Sequence, residues 1–230
     1  IVELGFAGIL IPEEYGGTGF GPMGLGIVMK EAGRTLAASP LYSTAVLGAG
    51  LIMAAGSDEQ KSALLPKIAS GETLTALALE ETNHHNPLNT AMTAEKSGDG
   101  FTLTGDKKFV IDGHIADTLI VVARTGGAAG DAQGLSMFLV DAKADGVSIT
   151  RNHMVDSRNA ASVSFGNVQV SADAVLGSLG GAYAELESSL DLARVCLAAE
   201  MLGGQTEGFH LAVVFTLPPA QFDNALHAQV

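Results

Sequence analysis

Apolar residues recur at Leu25, Val28, Met29, Ala32 and Leu36. Spacings of three and four predict one face of a helix, which Pro40 would end. Residues 41 to 55 carry no charge and are rich in alanine, so a second, buried helix is expected there. Ser57 followed three residues later by Gln60 has the form of a capping box, opening a third helix through Leu64 and Leu65 to about Ala69, with Pro66 as a possible kink.

From Leu74 the pattern changes to short apolar or alternating runs. Leu74 to Leu79, Leu119 to Ala123 and Leu135 to Val140 are continuous runs of strand length. The stretch Phe101-Thr-Leu-Thr-Gly alternates as a half-buried strand does, and Val147 to Thr150 and Val163 to Phe165 are shorter runs. Ser97-Gly-Asp-Gly100 signals a hairpin, because Gly and Asp tolerate positive φ. No helix-length pattern separates these strands, so an antiparallel sandwich or barrel is favoured over parallel βαβ wiring. Near Gly180-Gly181 the pattern turns helical again, through Leu186, Leu190, Ala193, Leu197 and Met201. Gly203-Gly204 would normally stop such a helix, yet Phe209 to Phe215 continues it until Pro218-Pro219. The expected fold is multi-domain α+β: a helical N-terminal domain over residues 1–71, a β domain over 72–176, and the start of a C-terminal helical bundle over 177–230.

Composition narrows the function. Of 230 residues 47% are apolar, which excludes intrinsic disorder. Twelve Lys and Arg against 25 Asp and Glu leave a net charge of −13, a poor footprint for nucleic acid. No apolar run reaches the length of a membrane span. Cys196 is the single cysteine, so no intramolecular disulfide forms, and a reducing, cytoplasmic setting is expected. The chain opens at Ile1 without Met, as a fragment would.

Three motif readings fail on their context. Gly19-Phe-Gly21-Pro-Met-Gly24 matches a dinucleotide fingerprint, but residues 32 to 57 hold no acid to meet a ribose, and Pro22 removes an amide that would face a pyrophosphate. A glycine-rich loop leading into a helix is the better reading. His84, His85, Asp112, His114 and His153 lack metal-ligand spacing, so no metal is expected. There is no G-x-S-x-G, and Cys196 lies on an apolar helix face, where a core role is expected.

Four stretches in order carry a resemblance: Pro12-Glu-Glu-Tyr-Gly-Gly-Thr-Gly19, Gly71-Glu-Thr-Leu-Thr-Ala-Leu-Ala-Leu-Glu-Glu81, Gly105-Asp-Lys-Lys-Phe-Val-Ile-Asp-Gly113 and Gly134-Leu-Ser-Met-Phe-Leu-Val-Asp141. Asn167 to Val170, Val175 to Gly177 and Leu190-Asp-Leu-Ala-Arg194 continue it. Together they resemble the acyl-CoA dehydrogenase family. The resemblance implies an incomplete chain with helical, β and helical-bundle domains. It also implies FAD as cofactor and α,β-dehydrogenation of an acyl-CoA thioester, with electrons passed to an electron-transfer flavoprotein. The protein is expected to be a homo- or hetero-oligomer.

The resemblance also assigns residues. The strand through Leu77 and Leu79 would run along the flavin. Glu80 stands where the family has Thr beside the pyrimidine edge, His85 where it has a close-approach Gly, and Asn86 where it has a Ser that contacts cofactor or substrate phosphate. Phe109 would take an aromatic place against the ring system, followed by Val110. Ile111 replaces a Thr whose hydroxyl reaches N5. Leu190 would line the acyl tunnel, with Asp191 and Arg194 near its mouth. One family branch carries its base immediately before the Arg matching Arg194; here that residue is Ala193, so no base is visible. In the tail Gln221 and Phe222 fit a cofactor-binding stretch, but Pro219 stands where its phosphate-clamping Arg should be. These departures keep open a non-catalytic subunit or acyl-CoA-binding scaffold, and an oxidase or oxygenase on the same scaffold.

Overall fold

The computed structural model describes residues 3–155 and 158–216. Three α-helices precede the strands: α1 (Gly21–Arg34), α2 (Ala49–Ala55) and α3 (Asp58–Ala69). Eight strands follow: β1 (Thr75–Ala78), β2 (Thr93–Ser97), β3 (Gly100–Ile111), β4 (Thr118–Arg124), β5 (Leu135–Asp141), β6 (Val147–His153), β7 (Asn159–Ser171) and β8 (Val175–Leu176). A long α4 (Tyr183–Thr216) closes the described chain.

The uncharged segment is helical as expected, but it begins as a π-helix over Leu41–Gly48 before α2. It is buried along almost its whole length, and its serine and threonine side chains find partners. Thr44 Oγ1 donates to Thr75 O and accepts from Thr75 N, at 3.1 Å each. Ser43 Oγ donates to Asp112 Oδ2 at 2.7 Å. The capping box forms, Ser57 accepting from Gln60 N and Gln60 Oε1 accepting from Ser57 N. Gln60 Nε2 also donates to the carbonyls of Asp173 and Val175, which ties the start of α3 to β8. Pro66 sits inside α3 without ending it.

The strands form one mixed sheet in the order β6-β7-β3-β2-β4-β5-β8, with β1 parallel to β4. The pairing is mostly antiparallel, as the short connections imply; the exceptions are β1–β4 and a single parallel β2–β4 contact. The continuous apolar runs are explained by burial on both faces. Leu77, Leu79, Ile120, Val122, Leu135 and Met137 join the helices in one core. Ala76, Ala78, Leu119, Val121, Ala123 and Phe138 join a second core with β3 and β7 on the other face.

Two helical faces differ from the pattern reading. In α1 the buried side is Leu25, Met29 and Gly33; the helix ends at Arg34, and Leu36 lies beyond it, exposed at φ 48°. In α4 the buried side is Leu186, Leu190, Ala193, Cys196 and Glu200, whereas Leu197 and Met201 are exposed. The cause is α1, which lies against α4 at Gly33 and Gly203. A Cβ at Gly33 would collide with the Glu200 carbonyl, and one at Gly203 with the Lys30 carbonyl. Gly203 is thus a contact surface rather than a helix stop. The Pro218-Pro219 ending lies outside the described residues.

Candidate functional site

β1 runs into a loop that meets β3 where that strand is bulged. The β3–β7 register shifts between Lys107 and Val110, and Phe109 sits there at φ 51°. A bulky residue in that region is strained, and such strain persists only where neighbours hold it. Here Lys108 N donates to Glu80 O at 2.7 Å. Lys107, fully buried, reaches back with Nζ to Leu79 O at 3.0 Å and to Glu81 Oε1 at 2.7 Å. Glu81 also accepts from the amides of Ala91 and Met92, at 2.7 and 3.0 Å. Burial pulls the Lys107 ammonium below its ordinary pKa, and Glu81 opposes that shift. This buried pair fixes both sides of Glu80.

Beside this bulge lies a cleft of ≈ 140 Å³. It is lined by Leu77, Leu79, Glu80, His85, Phe109, Ile111 and Leu190 together with Tyr42 and Leu47. The first seven are residues singled out from the sequence. Tyr42 and Leu47 were not, because they lie in the π-helical segment, which reads only as an apolar run. Burial, first of all, pushes the Tyr42 phenol above its ordinary pKa. Val110 is 1% exposed and points to the second core rather than the cleft. Asn86 is exposed beside the cleft, its backbone N–H donating to Glu80 Oε2 at 3.3 Å. Phe222 lies outside the described residues.

Glu80, His85 and Arg194 form a chain across the cleft mouth. His85 Nδ1 is 2.6 Å from Glu80 Oε1, and Arg194 Nη2 is 3.2 Å from His85 Nε2. A guanidinium only donates, so Nε2 accepts and the imidazole proton sits on Nδ1, donating to Glu80. Arg194 Nη1 also reaches Glu187 at 2.8 Å and Asp191 at 2.5 Å, and these two carboxylates hold its pKa above the ordinary value. Behind the cleft, Asp112 is 7% exposed; burial raises its carboxyl pKa despite the Ser43 hydrogen bond.

The lining fits the flat apolar body of a ring system such as a flavin: leucines and Ile111 on the walls, Tyr42 and Phe109 as aromatic neighbours. Within the lining Glu80 and His85 are paired with each other and offer a phosphate no free donor; Arg194 stands outside the lining, at the mouth. Ile111 brings no hydroxyl, and Ala193 is buried without a carboxylate. Among the described residues no group of His, Cys, Asp and Glu could hold a metal ion. No described helix is long and apolar enough to cross a membrane.

Residues 1–72 match the profile described as Acyl-CoA dehydrogenase, N-terminal domain, and residues 76–169 that of Acyl-CoA dehydrogenase, middle domain. Cyclohex-1-ene-1-carbonyl-CoA dehydrogenase of Geobacter metallireducens is 33% identical over 96% of this chain and 59% of its own length. A glutaryl-coenzyme A dehydrogenase solved with glutaryl-CoA superposes with TM-score 0.81 at 31% identity, covering 88% of this chain and 53% of that one. A steroid ACAD superposes with TM-score 0.82 at 27% identity, covering 93% and 55%. The chain therefore spans roughly half to three-fifths of the relatives it matches.

Proposed function

Because the chain belongs to the acyl-CoA dehydrogenase family, we propose that it supplies the β-domain side of a site for FAD-dependent α,β-dehydrogenation of an acyl-CoA thioester. The observation that carries this reading is the cleft, where seven residues scattered from Leu77 to Leu190 in the sequence line one apolar hollow. FAD, when bound, supplies the redox chemistry by accepting a hydride. Leu77, Leu79, Phe109 and Ile111 would hold its ring by apolar contact, and the same walls exclude water. Leu190 and Tyr42 would receive the acyl chain. Arg194, at the mouth, would meet the polar portion of the thioester. Ala193 brings no carboxylate to take the α-proton, and no residue of the cleft is assigned that role. Electrons would pass to an electron-transfer flavoprotein, and the protein would act as a homo- or hetero-oligomer.

A second reading is favoured by three positions: Ile111 without a hydroxyl, Ala193 without a carboxylate, and Glu80 paired with His85 where donors to cofactor would stand. It makes the chain part of a non-catalytic subunit that binds acyl-CoA beside a typical partner. The visible spectrum of the purified full-length protein separates the two. The first reading expects a bound-flavin absorption that bleaches anaerobically on adding an acyl-CoA. A colourless protein that still binds acyl-CoA would establish the second.

A further inference from the structure

The loop from Glu80 to Asn89 is firmly held at both ends. Lys107 pins Glu81, and Arg124 Nη2 donates to Leu88 O at 2.7 Å. Between those anchors its polar contacts are mostly internal: Thr82 with His84, Asn86 N with Glu80, and Asn89 N with Asn86 O. The contact that carries it across the cleft mouth to α4 is His85 to Arg194.

That contact matters because of what else surrounds Arg194. On its own helix the guanidinium faces Glu187 and Asp191, both on Nη1. His85 takes Nη2 and draws that end of the fork away from α4 toward the cleft. The imidazole also donates to Glu80, which accepts from Asn86 N as well. With both ring nitrogens used, His85 has no free polar atom for a ligand.

We propose that His85 is a positioning residue that keeps Arg194 presented at the cleft mouth for an anionic ligand. The inference rests on the reading of the cleft as an acyl-CoA site and adds the residue that aims its cation. Without His85, the Nη2 end is free to join Nη1 on Glu187 and Asp191, and the cation is drawn back onto α4. His85 is half-exposed, so its replacement leaves the core intact.

The test uses calorimetric titration of the full-length protein with coenzyme A as probe, at low and high salt. His85→Ala is expected to weaken binding about tenfold at low salt, the weight of one charge-assisted hydrogen bond, and to flatten the salt dependence. His85→Gln, whose amide can donate to Glu80 and accept from Arg194, is expected to restore most of the affinity. In an Arg194→Ala background the His85 change should have no further effect, because both act through one cation. Wild-type affinity in His85→Ala, or additive losses in the double variant, would overturn the positioning role while leaving the acyl-CoA reading intact. No binding of coenzyme A to the wild-type protein would overturn that reading itself and this inference with it.

Discussion

At the scale of residues, the two buried charges near the cleft make opposite demands. Lys107 is a cation without solvent, held by one carboxylate and one carbonyl. Removing one partner of a buried pair strands the other, so Lys107→Met is expected to destabilise the chain by about 3 kcal/mol. The double variant Lys107→Met with Glu81→Gln should recover part of that loss in urea unfolding. Asp112 is an acid that burial makes harder to ionise. Its folded pKa is raised, so between the unfolded and folded values the native chain keeps a proton that the unfolded chain has released. Stability therefore falls as pH rises through the folded value. Asp112→Asn keeps an acceptor for Ser43 and suits the positive φ of 56°. We expect it to melt higher than wild type at pH 7 and to match it at pH 3, where both are uncharged.

At the scale of elements, the α1–α4 crossing depends on which glycine of a pair faces the partner helix. Gly203 and Gly204 both sit in mid-helix, where alanine would normally gain up to about 1 kcal/mol. At Gly203 a methyl would strike the Lys30 carbonyl and come within 2.9 Å of Arg34 N, so Gly203→Ala is expected to cost about 1–3 kcal/mol. At Gly204 the nearest atom is Gly33 O at 3.4 Å, so Gly204→Ala should be neutral or stabilising. Thermal melts should fall for Gly203→Ala and hold or rise for Gly204→Ala. At the other helical junction, Ser57→Ala removes the cap of α3 and should cost about 1 kcal/mol. Gln60 carries a larger burden, because it also holds the strand β8.

At the scale of the whole molecule, α4 buries one side and leaves another open. Val195, Leu202 and Phe209 recur every seven residues and are 67%, 52% and 59% exposed. An apolar stripe of that kind is suited to contact with another protein surface. The chain expressed alone over these residues is expected to self-associate, and Val195→Glu with Leu202→Glu should shift it toward monomer in light scattering. An unchanged size distribution would show that this stripe is not what drives association. The net charge of −13 works against that association.

What the sequence determined by itself was largely local or ordered along the chain. The capping box at Ser57 and Gln60 forms because both its bonds lie within one turn. The hairpin at Ser97 to Gly100 forms because its Gly-Asp turn needs no distant partner. The succession of helices, strands and helix followed from hydrophobic period, and the ordered stretches from Pro12 to Asp141 identified the family and with it most of the cleft lining. The tertiary structure decided the rest. The parallel β1–β4 pair joins segments more than 40 residues apart, and no short-range pattern encodes it. Tyr42 and Leu47 reach the cleft only because a π-helical segment is laid against β1. Gly203 continues a helix because α1 needs its missing side chain. His85 and Arg194, 109 residues apart, meet because the loop after β1 and the first turns of α4 border the same cleft. A hydrogen bond of that reach has no signature in composition or periodicity; it exists only once both elements have been placed.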